Sequence, residues 1–144
     1  MIERVQFLPW HAEVMDARGE RITGEFISLA IAAPSLGPCI TLMSDQRPIA
    51  SMGFVIICGG TAEVWVLAAR DIGKFRLSLH RTALWALAES NRRYGIYRFQ
   101  AAIDRDKIVN RRWAERLGFY VEGPSMARFG PDGETYMRYV KLFD

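Results

Sequence analysis

Apolar and polar positions change period several times along the chain, and each change marks an element. "ERVQFLPW" reads as a first strand. In "HAEVMDARGERITGEFISLAIAA" the apolar Ala12, Met15, Ile22, Phe26 and Leu29 recur at helical spacing, and Gly19 interrupts them. Two short helices are predicted there, and "PSLGP" is a loop. "CITLMS" and "RPIASMGFVIIC" flank the turn composition "DQRP" as a hairpin would, and "CGGT" separates the second run from "AEVWVLAA". These three extended runs predict an antiparallel meander.

At Gly73 the period becomes helical. Phe75, Leu79, Ala83 and Ala86, with Leu84 and Leu87, repeat up to "ESNRRYG", where Gly95 stops the helix. "YRFQAAID" then reads as a buried strand, so a β-α-β crossover is expected. Asp104 or Asp106 can cap the next helix, "DKIVNRRWAERLG", whose Ile108, Trp113 and Leu117 form an apolar stripe and whose end is Gly118. "FYVEGPSMARFG" and "TYMRYVKLF" alternate like paired strands around "GPDGE". The order is strand, two helices, three strands, helix, strand, helix, two strands. A single α/β (α+β) domain over residues 1–144 is expected.

Composition narrows the class. Half of the residues are hydrophobic and 24% are charged, the balance of a globular protein. The net charge of +3 is spread over helical stretches such as "NRRWAER", which leans towards anionic ligands. No helix-turn-helix, zinc-finger or RNA-binding signature accompanies it, so nucleic acid is not expected as a partner. Cys39 and Cys58 sit in apolar runs without CxxC spacing and read as buried, reduced thiols, which fits a reducing compartment. "MIERVQFLPW" lacks the apolar core of a signal peptide. The uncharged segment 26–44 is broken by Pro34, Gly37 and Pro38 and fails as a membrane span.

The segment "IDRDKIVNRRWAERLGFYVEGPSM" carries Leu117, Gly118 and Phe119 at a helix end, followed by a strand with Glu122 and Gly123. In this it resembles the GNAT N-acetyltransferase superfamily, and the element order agrees along nearly the whole chain. With Asp104 and Trp113 it looks most like small GNAT-like proteins of short-tailed phages, including an internal virion protein group. The resemblance implies a splayed mixed sheet of six to seven strands flanked by about four helices. It also implies acetyl-coenzyme A held between "AEVWVLAA" and "YRFQAAID". Unpaired backbone groups of parting strands can bond a pantetheine arm, and a helix N-terminus can face a pyrophosphate.

The resemblance assigns roles residue by residue. Leu67 and Ala68 fall on the strand that would grip the cofactor. The phosphate loop Gln/Arg-x-x-Gly-x-Gly/Ala corresponds to Arg70, Asp71, Ile72, Gly73, Lys74 and Phe75, so Arg70, Gly73 and Lys74 are candidate cofactor contacts. Phe75 replaces the final small residue, and Asp71 adds a negative charge; the bland alternative is a strand-to-helix turn capped by Asp71. Lys107 stands where many members have an Asn near a helix start and is a further candidate cofactor contact. Ala114 stands where many have a Tyr that protonates the leaving thiolate; Tyr120 and Tyr94 are the candidates to replace it. Glu63 is the candidate general base, and Glu25 is a rival.

Other residues read as structural. His11 and His80 have no second ligand at metal spacing, so no metal is expected. Trp85 and Trp113 read as packing residues, and Arg92, Arg93, Arg111, Arg112 and Arg116 as solvated helix faces. No GxSxG or Walker loop occurs. The expected function is transfer of an acetyl group from acetyl-CoA to an amine of unnamed identity. The alternative is a catalytically silent phage structural or interaction protein. Host cytoplasm or virion is the expected location, and a virion partner, a host protein partner and a homo-oligomer all stay open.

Overall fold

The computed structural model describes residues 1–15 and 39–144. Ile22, Phe26, Leu29, Gly19, Glu25 and the loop "PSLGP" therefore lie outside the described residues. The strands are β1 (Ile2–Gln6), β2 (Cys39–Ser44), β3 (Arg47–Cys58), β4 (Thr61–Ala68), β5 (Arg98–Asp104), β6 (Tyr120–Met126) and β7 (Tyr136–Leu142). The helices among the described residues are α1 (Pro9–Val14), α2 (Arg76–Tyr94) and α3 (Ile108–Arg116), with a 3-10 turn at Ile72–Phe75. The strands of the described residues form one seven-stranded mixed sheet in the order β1-β2-β3-β4-β5-β7-β6. The three extended runs are neighbours in the predicted order, with β2 and β3 antiparallel, and the β-α-β crossover is present as parallel pairing of β4 with β5.

The chain groups into two compact units, Met1–Ile56 with Val64–Ala86 and Ile57–Glu63 with Leu87–Asp144. In the first, β1 pairs antiparallel with β2, and β2 with β3. The β2–β3 hairpin turns on Asp45 and Gln46, both with positive φ (46° and 68°), the handedness that matches strand twist in a two-residue loop. Its core gathers Phe7, Ala12, Met15, Leu67 and Ala69, against which Cys39 and Trp65 pack. Phe7 meets Trp65 edge to face at 5.4 Å between centroids. A Cβ on Gly53 would come within 2.7 Å of the Trp65 indole, so that strand position needs a glycine.

Helix α1 starts at Pro9, whose fixed φ suits the first helical position. Its His11 is buried. The Leu8 N–H donates to His11 Nδ1 at 3.0 Å, which makes that nitrogen an acceptor and puts the neutral ring's proton on Nε2. Thr41 Oγ1 lies 2.8 Å from the same nitrogen and donates to it, and Ser51 Oγ donates to Thr41 at 2.9 Å. Thr41 and Ser51 are cross-strand partners, so the hairpin register itself builds this network.

In the second unit β5 is central, with Phe99 fully buried, and pairs with β7 from Arg98↔Leu142 to Asp104↔Tyr136. β6 pairs with β7 through register shifts around Gly123. Gly95 (φ 66°) and Gly118 (φ 94°) end α2 and α3 as their sequence positions predict. Lys141 Nζ donates to the Leu117 carbonyl at 2.5 Å, satisfying an end group of α3.

Four readings of the sequence are corrected. The N-cap of α3 is Lys107, without a side-chain bond, because Asp104 Oδ1 instead accepts from the Asp106 N–H at 2.9 Å in a local turn. Ile108 is exposed, and Ala114 and Leu117 are the buried positions of that helix end. Trp85 is 44% exposed and carries the Arg4 guanidinium 4.7 Å from its ring centroid. Cys58 is exposed, whereas Cys39 is half-buried and its thiol is pushed up to about 11 by burial.

Burial lowers the His11 pKa below its ordinary 6.5. Above that value neither state binds the proton; below it the unfolded chain does and the fold does not. Stability is therefore full above pH 6.5 and falls as the pH drops towards the folded pKa. The limiting slope is about 1.4 kcal/mol per pH unit. Chemical denaturation between pH 7 and 5.5 checks this; His11→Asn, which keeps an acceptor near Nδ1, flattens the dependence. Gln46→Gly relieves a left-handed backbone and raises stability by about 0.5–1 kcal/mol in thermal melts.

Candidate active site

The parallel pairing of β4 with β5 covers Thr61↔Arg98, Ala62↔Phe99 and Glu63↔Gln100. β4 itself runs on to Ala68. Ala69 then donates to the Ile49 carbonyl at 2.9 Å, Ile72 N–H returns to the Ala69 carbonyl at 3.1 Å, and Lys74 N–H to the Asp71 carbonyl at 3.0 Å. The joint is thus a 3-10 turn running directly into α2. Two of its N–H groups are used inside the turn.

Leu67 is buried, Ala68 half-buried, and Arg70, Gly73 and Lys74 are exposed. Gly73 has no positive φ, and a Cβ built on it would meet nothing within 4 Å. Its own protein surroundings therefore do not require a glycine, and the bare backbone faces open space that a ligand can approach. An open concavity of about 530 Å³ is lined by Gly73, Lys74, Phe75, Arg76, Leu77 and Ser78.

Asp71 stands at the cap position, and its side chain makes no capping hydrogen bond to the 3-10 turn that follows. Its carboxylate pairs with Arg47, Nη2 to Oδ2 at 2.7 Å and Nη1 to Oδ1 at 3.2 Å. Hydrogen bonds from that guanidinium hold the Asp71 pKa below its ordinary value. The negative charge of Asp71 is thus compensated by Arg47 within the first unit, and the turn and the start of α2 also carry Arg70, Lys74 and Arg76.

Glu63 sits in a different setting. Arg138 Nη1 on β7 contacts both of its oxygens, Oε1 at 2.9 Å and Oε2 at 2.8 Å, and Gln100 Nε2 donates to Oε2 at 2.9 Å. Gln100 Oε1 accepts from Arg98 Nε at 3.1 Å, and Arg98 pairs with both oxygens of Glu122 at 2.8 and 2.6 Å. Those bonds from Arg98 lower the Glu122 pKa. The network crosses β4, β5, β6 and β7.

Tyr120 shares one cross-strand row with Glu63, through Val140 and Gln100. Three strand spacings separate them, about 14 Å between Cα atoms. Lys107 lies on the exposed turn between β5 and α3, and Tyr94 is exposed at the end of α2. The first unit thus groups Leu67, Ala68, Arg70, Gly73 and Lys74 along one run of chain, while Glu63, Tyr120 and Lys107 stand at separate places in the second.

Sequence reading did not single out Arg47, Gln100 or Arg138, because only strand register brings them to Asp71 and Glu63. It also passed over Tyr139. That side chain is fully buried, and its hydroxyl meets Arg111 Nε at 3.3 Å and Glu115 Oε1 at 3.4 Å, on the turn of α3 that holds Ala114. Only the alternation of "TYMRYVKLF" could have marked it, as an inward-facing tyrosine.

No family model matches the chain, and no curated protein matches its sequence. Solved structures do match its fold. The ribosomal-protein-S18-alanine N-acetyltransferase from Escherichia coli superposes with a TM-score of 0.79 at 14% identity, covering 99% of this chain and 94% of that one. A GNAT-family acetyltransferase from Streptococcus pneumoniae gives 0.73 at 13%, covering 100% of both chains. YncA from Salmonella typhimurium, solved with acetyl-CoA, gives 0.75 at 17%, covering 99% and 94%. With its mixed seven-stranded sheet, the chain has the GNAT N-acetyltransferase fold.

Proposed function

We propose that this chain is an acetyl-CoA-dependent N-acetyltransferase acting on a primary amine by direct transfer. The observation that carries the reading is the strand-to-turn segment of β4. A strand that outruns its short parallel pairing leads into a basic turn whose Gly73 backbone is bare, in a fold that one neighbour fills with acetyl-CoA.

The residues present suit that ligand in charge and in shape. Arg70, Lys74 and Arg76 offer cations for a pyrophosphate, Asp71 is already neutralised by Arg47, and Gly73 permits close approach. Backbone groups of residues 64–68, with Leu67 and Ala68 among them, would take the amide arm, and Lys107 remains a further candidate contact. Acetyl-CoA supplies an activated acyl thioester. Glu63 would accept a proton from the ammonium, directly or through water, so that the nitrogen lone pair bonds the acyl carbon as the C–S bond breaks. Tyr120 would give a proton to the departing thiolate and recover one, through water, from the second proton that the nitrogen sheds as it becomes the amide.

A second reading has its own support. A catalytically silent GNAT-fold module is favoured by three features. The 3-10 turn consumes two of its N–H groups, Glu63 is already engaged by Arg138 and Gln100, and Ala114 offers no hydroxyl. The acetyltransferase reading is preferred because the open Gly73 and the neutralised Asp71 have no use in a silent module.

Calorimetric titration with acetyl-CoA separates the two: saturable binding below millimolar concentration is expected, and no heat at millimolar ligand leaves only the silent module. Phe75→Gly widens the backbone approach and tightens binding about tenfold if the turn holds the pyrophosphate. The same variant only lowers thermal stability if it does not. Turnover is screened with an alanine-initiated peptide and with spermidine, the amine types named for structural neighbours.

A further inference from the structure

We infer that Arg138 is a positioning residue for acetyl transfer. It aims the Glu63 carboxylate so that a single lone-pair site, on Oε1, is presented to the amine. This rests on the proposed role of Glu63 and goes beyond it by naming the oxygen that works and the side chain that selects it.

An ionised carboxylate has about four lone-pair sites. In Glu63 three are occupied: Oε2 accepts from Arg138 Nη1 and from Gln100 Nε2, and Oε1 accepts from Arg138 Nη1. One site on Oε1 is left. Glu63 is the last residue of β4 paired with β5, so the pairing with β5 holds its backbone on the upstream side only. Arg138 supplies the missing constraint from two strands away.

Register explains how it reaches. Glu63 is the partner of Gln100, Gln100 of Val140, and Ala102 of Arg138, so all these side chains share one face of the sheet. Arg138 must lean diagonally over β5 to meet Glu63, and it crosses at Ala102, whose methyl group leaves the path clear. Gln100 is held in turn by Arg98, and Arg98 by Glu122, so the donor on Oε2 is itself oriented. Arg138 and Glu63 are both only about a quarter exposed, at 21% and 29% of their side chains, which limits competition from water. Preorganised aim of this kind contributes to the rate of the chemical step without contributing to cofactor affinity.

The test measures acetyl-CoA turnover through the released thiol, with the alanine-initiated peptide or spermidine as acceptor. Glu63→Gln is expected to lower kcat about a hundredfold, as loss of a general base does. Arg138→Met is expected to lower kcat about tenfold with KM for acetyl-CoA unchanged, and Arg138→Lys to recover part of the loss. In the Glu63→Gln background, Arg138→Met costs nothing further, because Arg138 acts only through Glu63. Ala102→Leu obstructs the crossing while keeping both charges and gives the same pattern if Arg138→Met fails to fold.

An equal cost of Arg138→Met in both backgrounds, a full rate in that variant, or a loss expressed in KM overturns this inference alone. A wild-type protein that transfers no acetyl group, or a fully active Glu63→Gln variant, overturns the proposed function and this inference with it.

Discussion

Parallel strands exchange slanted, evenly spaced hydrogen bonds, and a pairing that lasts three residues leaves most of β4 to find other uses for its backbone. Thr61, Ala62 and Glu63 meet β5; the next five residues carry the chain to Ala69, whose N–H bonds the Ile49 carbonyl. The sites on either side of that ending depend on it. Upstream, Glu63 is fixed by side chains of β5 and β7. Downstream, the strand delivers a basic turn and the start of α2.

Both ends manage charge by pairing it. Asp71 would repel an anion at the turn, yet two bonds from Arg47 compensate it. Glu63 would be a loose carboxylate at a strand's last paired position, yet Arg138 and Gln100 constrain it. Exposed pairs of the first kind add little stability. Their value here is electrostatic: they set which charges a ligand meets.

Much of the fold was legible because hydrophobic period and glycine placement are local signals. The hairpin at "DQRP", the stops at Gly95 and Gly118 and the crossover from β4 to β5 all follow from neighbours in sequence. Misreadings arose where a tertiary partner outcompeted a local one. Asp104 was expected at a helix cap but closes a turn on Asp106, and Trp85 was expected inside but is half covered by Arg4 on β1. The site was only partly legible for the same reason. Arg70 and Gly73 stand in a recognisable motif, whereas Arg47, Gln100 and Arg138 acquire meaning only from register. The resemblance in "AERLGFYVEG" carried the fold, which 10–18% identity to its structural neighbours still preserves.

In the proposed function the end of β4 and the turn after it grip acetyl-CoA through their backbone. Amide hydrogen exchange with and without saturating acetyl-CoA reads that backbone directly. Slowed exchange is expected in residues 64–68 and 70–75, with little change in the β2–β3 hairpin turn. Unchanged exchange in those two segments, at a ligand concentration that saturates binding, would contradict it.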